Sequence, residues 1–230
     1  MKKLEEDLAK LRRKVIEMGN LTEQMVSKAI QSIDDNNRDA LIADVVEAED
    51  QLDHMQLDID KEAIRLLTVY SPVAADLRFV MSVSRITAEL ERIGDHATNM
   101  CESVQLMVGK AITEVEPEVQ QMATIVCEMV TDALNAFLHG DHRRARATIV
   151  KDDLVDTLND QIVKELLSDQ LMKEVLEGQR DVAGALSQML LARSLERIAD
   201  QATNISEEVV YMVKGRDIRH DVNTDDQDSD

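Results

Sequence analysis

The chain of 230 residues contains no Trp, and aromatic residues make up 2% of it. Proline occurs twice, at Pro72 and Pro117, and glycine seven times. Sheets favour aromatic and β-branched side chains, and hairpins need turn residues. Both are scarce, whereas Leu, Ala, Glu, Met and Gln, all good helix formers, are abundant. A β fold is excluded and an all-α one expected. Cysteine is nearly absent. Cys101 and Cys127 fit no zinc spacing and no disulfide framework, and both read as small core residues. No apolar run is long enough to span a bilayer. The charged start, Met1 to Asp7, has no apolar stretch behind it, so no signal peptide is expected. The expectation is a cytoplasmic protein without membrane insertion. Basic residues fall far short of acidic ones, which leaves a formal net charge of −20. Such a field repels nucleic acid and anionic lipid and attracts cations. The short Arg143-Arg144-Ala145-Arg146 cluster does not reverse it, so nucleic acid is not an expected partner.

What the chain does have is helical periodicity. Apolar residues recur at steps of three and four, and the breaks between runs are few. The first helix is predicted from about Lys3 to Ile33, and the second from Asp39, as its N-cap, to about Leu67. The third is predicted from Ser71-Pro72 to about Val108. Its stripe of Phe79, Val83, Ile86, Leu90, Ile93, Ala97, Met100, Val104 and Met107 alternates steps of four and three, the seam of a helical bundle. Gly109 through Pro117 marks a boundary. A fourth helix is expected over 118–139, stopped by Gly140, and Asp141 caps a fifth that runs to about Glu177 with a bend near Ser168. After Gly178 to Asp181 comes the sixth, to about Lys214, with the stripe Leu191, Leu195, Ile198, Ala202, Ile205, Val209 and Met212. The twelve Met residues read as core filler. After His220 the chain is mostly Asp, Asn, Thr, Gln and Ser and cannot bury a core.

The chain also repeats itself. Leu90-Glu91-Arg92-Ile93-Gly94-Asp95-His96-Ala97-Thr98-Asn99 returns 105 residues later as Leu195-Glu196-Arg197-Ile198-Ala199-Asp200-Gln201-Ala202-Thr203-Asn204, with eight of ten positions identical. Packing alone keeps Leu, Ile and Ala; it does not ask for Glu, Arg, Asp, Thr and Asn. A weaker echo pairs Glu49 to Asp53 with Asp152 to Asp156. The expected architecture is a tandem duplication of a three-helix bundle, with six long helices: residues 1–110, residues 117–216, and an acidic, disordered tail over 217–230.

Each half thus carries an acid-x-x-x-Asp pair on its second helix and another on its third. Residues four apart share a helix face. Two such pairs on neighbouring helices repel unless a cation lies between them, and hard cations take carboxylate oxygens. The functional reading is one cation site per half. The alternative is a solvated acidic face, because these acids flank the apolar stripe rather than lie in it. His54 and His96 adjoin Asp53 and Asp95 but have Thr157 and Gln201 as counterparts, and they read as helix-surface residues. Arg92 and Arg197 are expected to pair with acids. Asn99 and Asn204 extend the acid face by a turn and are candidates to orient a ligand or water. No catalytic apparatus is visible: there is no Gly-rich phosphate loop and no recognisable Ser/His/Asp set. The Glu-x-x-His element of di-iron bundles is missing, since Gly94 follows Glu91 and Ala199 follows Glu196 at that spacing.

These motifs carry a resemblance. Leu90 to Ala97, Ala192 to Asp200, the C-terminal Tyr211-Met212-Val213-Lys214-Gly215-Arg216-Asp217-Ile218-Arg219-His220, and Pro72 to Arg78 resemble the PhoU family of phosphate-transport accessory and regulatory proteins. The resemblance implies two three-helix bundles and a homodimer. It also implies carboxylate clusters that hold Fe, Mn, Mg or Zn, with Glu49, Asp53, Glu91 and Asp95 as ligands in one half and Asp152, Asp156, Glu196 and Asp200 in the other. The implied function is negative regulation of the phosphate regulon and restraint of high-affinity phosphate uptake. The chain would be a non-catalytic adaptor between the ATP-binding subunit of the phosphate ABC transporter and a phosphate-sensing histidine kinase. A carboxylate-bridged di-iron enzyme and a metal store are the alternatives. Phosphate status is expected to be read through partners rather than by direct binding.

Overall fold

A computed structural model describes residues 2–34, 37–107, 115–169, 173, 176–177 and 182–219. Six long helices account for most of them: α1 (Lys2–Gln31), α2 (Arg38–Tyr70), α3 (Ala74–Met107), α4 (Pro117–His139), α5 (His142–Leu166) and α6 (Val182–Lys214). Among the described residues there is no strand. The all-α duplication read from the sequence is the observed fold.

The ends of the helices follow local chemistry. Pro117 opens α4, where its missing N–H costs nothing. Gly140 closes α4 in the left-handed region at φ 63. Asp141 then accepts from the Arg143 and Arg144 amides and caps α5. Three ends differ from expectation. Asn37, not Asp39, holds the N-cap position of α2. Ser71 ends α2 in the left-handed region, its N–H donating to the Leu67 carbonyl, so α3 starts at Ala74 rather than at Pro72. The chain turns at Leu167-Ser168, where the bend was expected, but the turn ends α5 at Leu166, and Asp169, Lys173 and Leu176 beyond it are helical again. The predicted break at 178–181, most of the 109–117 boundary and the tail from His220 onward lie outside the described residues.

The predicted stripes form one core. On α3 every member from Phe79 to Val104 is buried, and on α6 so is every member from Leu191 to Met212. Helices α1, α2 and α3 pack on one another, as do α4, α5 and α6. The bundles meet along α3 and α6 and, to a lesser extent, along α1 and α4. Gly94 lets α3 settle against α2: a Cβ there would stand 2.3 Å from Leu52 Cδ2. Gly19 does the same for α1 against Leu134 of α4, at 2.4 Å. The only two Phe rings, Phe79 of α3 and Phe137 of α4, stack 6.3 Å apart, and the Arg12 guanidinium of α1 lies over both. Arg12 also donates to the Phe137 carbonyl at 3.0 Å.

The seam between α3 and α6 is antiparallel. Arg85 and Ser82 bond the buried Glu208 carboxylate at 3.0 and 3.2 Å, and Asn204 donates to Glu89 at 3.3 Å. Each step forward on α3 is matched by a step back on α6. This register sets Gly94 opposite Ala199, its own counterpart in the repeat. Adjacent antiparallel helices exchange only about an axis normal to their common plane, so duplicated features of the two halves fall on the same side of the molecule. After α6, Gly215 turns the chain at φ 69. Ile218 then packs on the core, and Arg219 joins Glu208 at 3.3 Å.

Candidate metal centre

The eight acids sit where the spacing puts them, beside the apolar stripes. Glu49 and Asp53 project from α2 toward Glu91 and Asp95 on α3; Asp152 and Asp156 from α5 face Glu196 and Asp200 on α6. Asp53 and Asp156 are exposed and the other six half-buried. The acids of each half share one electrostatic neighbourhood. Burial raises the Glu49 carboxyl above the usual range, and Asp95 and Asp53 raise it further. Glu91 is raised by burial, Asp95 and Asp53, and Asp95 by burial and Asp53. In the second half, burial followed by Asp200 and Asp156 pushes Asp152 up to about 6. Glu196 is raised by burial and Asp200, and Asp200 by burial, with Arg197 offsetting part of the effect. Burial and the neighbouring acids outweigh the nearby positive charge of Arg92 on Glu91 and of Arg197 on Glu196 and Asp200.

The remaining expectations divide. Arg92 pairs with Glu89 at 3.0 Å and Arg197 with Asp200 at 3.7 Å, as ion pairing predicts. His54 is exposed, its Nδ1 2.6 Å from the Asp50 carbonyl, a helix-surface residue. His96 is half-buried, and burial lowers its pKa. Asn204 turns away from the acid face and reaches Glu89 across the seam. Cys101 is buried and Cys127 partly so; both thiols are free, with Cys101 pushed up to about 11 by burial.

Sequence reasoning missed two groups. Glu116, Glu118 and Glu165 bring three carboxylate oxygens within 4.8 Å of one another, closer than the acids of either duplicated cluster. Glu116 and Glu118 flank the first residue of α4, where the helix dipole favours negative charge without a cation. The other group is Thr203, beside Asp152. Its hydroxyl and Asp152 Oδ1 are both buried, and a hydrogen bond between the two side chains offsets part of the rise in the Asp152 carboxyl. The repeat itself signalled Thr203, since Thr is kept at 98 and 203. An all-oxygen donor set and half-buried carboxyls that raise one another together suit a hard cation.

The PhoU domain family matches residues 15–104 and again 119–209, one copy on each bundle. The chain belongs to the PhoU family. The Phosphate-specific transport system accessory protein PhoU homolog of Aquifex aeolicus is 34% identical over 218 residues, which cover 95% of this chain and 96% of that protein. The Phosphate-specific transport system accessory protein PhoU of Escherichia coli K12 is 33% identical, covering 93% and 86%. The crystal structure of PhoU from Pseudomonas aeruginosa superposes with a TM-score of 0.84 at 33% identity, over 92% of this chain and 99% of that one. Both PhoU matches include the acid pairs: Glu49, Asp53, Glu91 and Asp95 fall in the first, and Asp152, Asp156, Glu196 and Asp200 in the second. No described helix is long and apolar enough to cross a membrane.

Proposed function

We propose that the chain is an accessory protein of phosphate transport and a negative regulator of the phosphate regulon. It works without catalysis, as a cytoplasmic homodimeric adaptor between the ATP-binding subunit of the phosphate ABC transporter and a phosphate-sensing histidine kinase. The observation that carries this reading is the PhoU match over both halves, with relatives named for that transport system covering nearly the whole chain. The acids stand half-open on a helix flank, unlike an enclosed reaction centre, and this supports an adaptor over an oxidase.

On this reading each half holds a metal ion. Glu49, Asp53, Glu91 and Asp95 would hold one, and Asp152, Asp156, Glu196 and Asp200 the other. With carboxylate oxygens as the donors, Mg, Mn or Fe fits better than Zn, which prefers nitrogen and sulfur. A bound cation would relieve the mutual repulsion of the acids and tie α2 to α3 and α5 to α6. The chain's own acids thereby set the shape of the face that partners meet.

The test is alkaline phosphatase activity in phosphate-rich medium, in a host deleted for its own PhoU protein. The chain should restore repression, and alanine at Glu91, Asp95, Glu196 and Asp200 should weaken it. Persistently high phosphatase with soluble chain in its native host would sink the adaptor reading.

A further inference from the structure

We propose that one end of the molecule, where α1, α3 and α5 begin and α2, α4 and α6 finish, docks on the anionic headgroup surface of a membrane. The proposal goes beyond the adaptor reading and does not depend on a metal. Three contacts gather that end. Tyr70, the last residue of α2, donates to Asp7 of α1 at 2.9 Å. A Cβ on Gly140, between α4 and α5, would stand 3.7 Å from Val213 of α6, and one on Gly215 would stand 3.4 Å from Arg78 of α3. Lys2, Lys3, Arg13, Arg78, Arg143 and Lys214 lie here, and none forms an ion pair with an acid among the described residues. Against them stand the exposed acids Glu5, Glu6 and Asp76. Arg143 and Arg144 occupy the first turn of α5, which holds no acid. Positive charge at a helix N-terminus opposes the macrodipole, so helix formation does not account for these arginines. An anion facing them gains from the side chains and the dipole together.

The same end carries exposed apolar side chains. Val69 and Val73, at the turn from α2 to α3, are 60% and 74% exposed. Ser71 and Ala74 both lie in the left-handed region, at φ 45 and φ 48, which strains a residue with a side chain. Pro72 between them is buried, so the turn is anchored there and holds Val73 outward. A protruding apolar tip among cations suits the boundary between headgroups and acyl chains. It favours a fluid surface over a shaped protein pocket. The formal net charge of −20 counts against anionic lipid only if it is spread evenly. Glu91 lies about 20 Å along α3 from Arg78, and Asp200 about 20 Å along α6 from Lys214, at about 1.5 Å per residue. Both acids stand beyond the screening length of about 8 Å at physiological salt, so the local charge decides what this end meets.

The experiment sediments the full chain with vesicles of phosphatidylcholine alone, or of phosphatidylcholine mixed equally with phosphatidylglycerol. Chelator is present throughout, so that no metal bridges protein to lipid. The chain should bind the anionic vesicles and not the neutral ones, and binding should fall as salt is raised. Arg143→Ala and Lys214→Ala should each weaken it about 5-fold, and Val73→Ser about 10-fold. Lys164→Ala removes an exposed lysine in the last turn of α5, at the opposite end, and should change nothing. The aspartates that follow Arg219 in the chain oppose the basic residues, so Asp225→Asn combined with Asp226→Asn should tighten binding. Equal binding to both vesicles, or a loss from Lys164→Ala as large as that from Arg143→Ala, would overturn the proposal. So would a chain that restores phosphatase repression yet does not sediment with anionic vesicles. The adaptor reading would then stand, and the basic end would fall to an acidic protein face.

Discussion

The two halves descend from one pattern, yet they use it differently around the same point of the α3–α6 seam. In the first, Gly94 admits Leu52 into the helix surface, and the Thr98 hydroxyl folds back on the Gly94 carbonyl. In the second, Ala199 takes that place, and the Thr203 hydroxyl is left beside a buried aspartate oxygen. The ends of the seam differ as well. Where α3 begins, Ser82, Arg85 and Arg219 converge on Glu208. The repeat puts Ser187, Leu190 and Ser103 at the other end, so one end is latched by ions and the other is not. Duplication fixed the scaffold, and these substitutions sit where the halves touch each other.

The largest effects come from what the halves share. Leu90 and Leu195 are equivalent and fully buried. Leu90→Ala and Leu195→Ala should each cost about 2–5 kcal/mol, measured by urea unfolding. Because α3 and α6 join the bundles into one core, both variants should still unfold in a single transition. Two separate transitions would show that the bundles are independent.

Next in size is the contact at which the halves diverge. Gly94→Ala places a methyl on Leu52 and should cost about 1–3 kcal/mol through overpacking. The reverse exchange, Ala199→Gly, meets no clash and should cost only about 1 kcal/mol, the helix penalty of glycine. Equal costs at the two positions would mean that Leu52 moves aside freely.

How far these contrasts were legible in the sequence depends on their range. The stripes, the duplication and the Asp141 cap are local or periodic, and they were readable because the 3.6-residue repeat is written into the chain. That the acids flank the stripe was equally legible. The Gly94–Leu52 contact was not, since it joins residues 42 positions apart and depends on how closely two helices approach. Nor was the latch at Glu208: on its own helix Glu208 looks like any surface acid, and only the arrival of α3 and the returning C-terminal segment buries it. The break at Ser71-Pro72 was legible, but the left-handed turn at Ser71 that delays α3 to Ala74 was not, because a non-glycine left-handed residue carries no sequence signal.

The acids themselves separate the halves by pH. In metal-free protein Asp152 titrates near 6, above the ordinary 3.8, because burial and Asp200 penalise its charge. A raised carboxyl favours the fold while protonated, so its contribution is whole below about pH 4 and is lost as pH rises through about 6. Asp152→Asn should therefore stabilise chelator-treated protein at pH 7.5 and not at pH 4, by about 1–2 kcal/mol after allowance for solvent screening, read by urea unfolding at the two pH values. Glu49→Gln should act in the same direction and less. Asp7 gives the opposite sign. Hydrogen bonds from Arg65 and Tyr70 hold it down at about 2. Its contribution is present above pH 4 and fades as pH falls toward 2, so Asp7→Asn should destabilise at neutral pH.

The smallest expected effect concerns the two repeated arginines. Arg197 leans on a cluster acid, Asp200, at 3.7 Å, whereas Arg92 is held by Glu89, which is not one. Both are exposed, so neither pair contributes more than about 0.5 kcal/mol to stability. Their influence on a cation should still differ. Arg197 competes for an oxygen the ion needs, and Arg197→Ala should tighten Mn²⁺ binding in the second half about 2-fold, the equivalent of that same half kilocalorie. Arg92→Ala should change first-half affinity less, because its closest charge partner lies outside the cluster. A calorimetric titration of the two variants side by side measures the difference. If Arg92→Ala proves the stronger, Arg92 acts on Glu91 directly, and the halves are more alike in their electrostatics than in their packing.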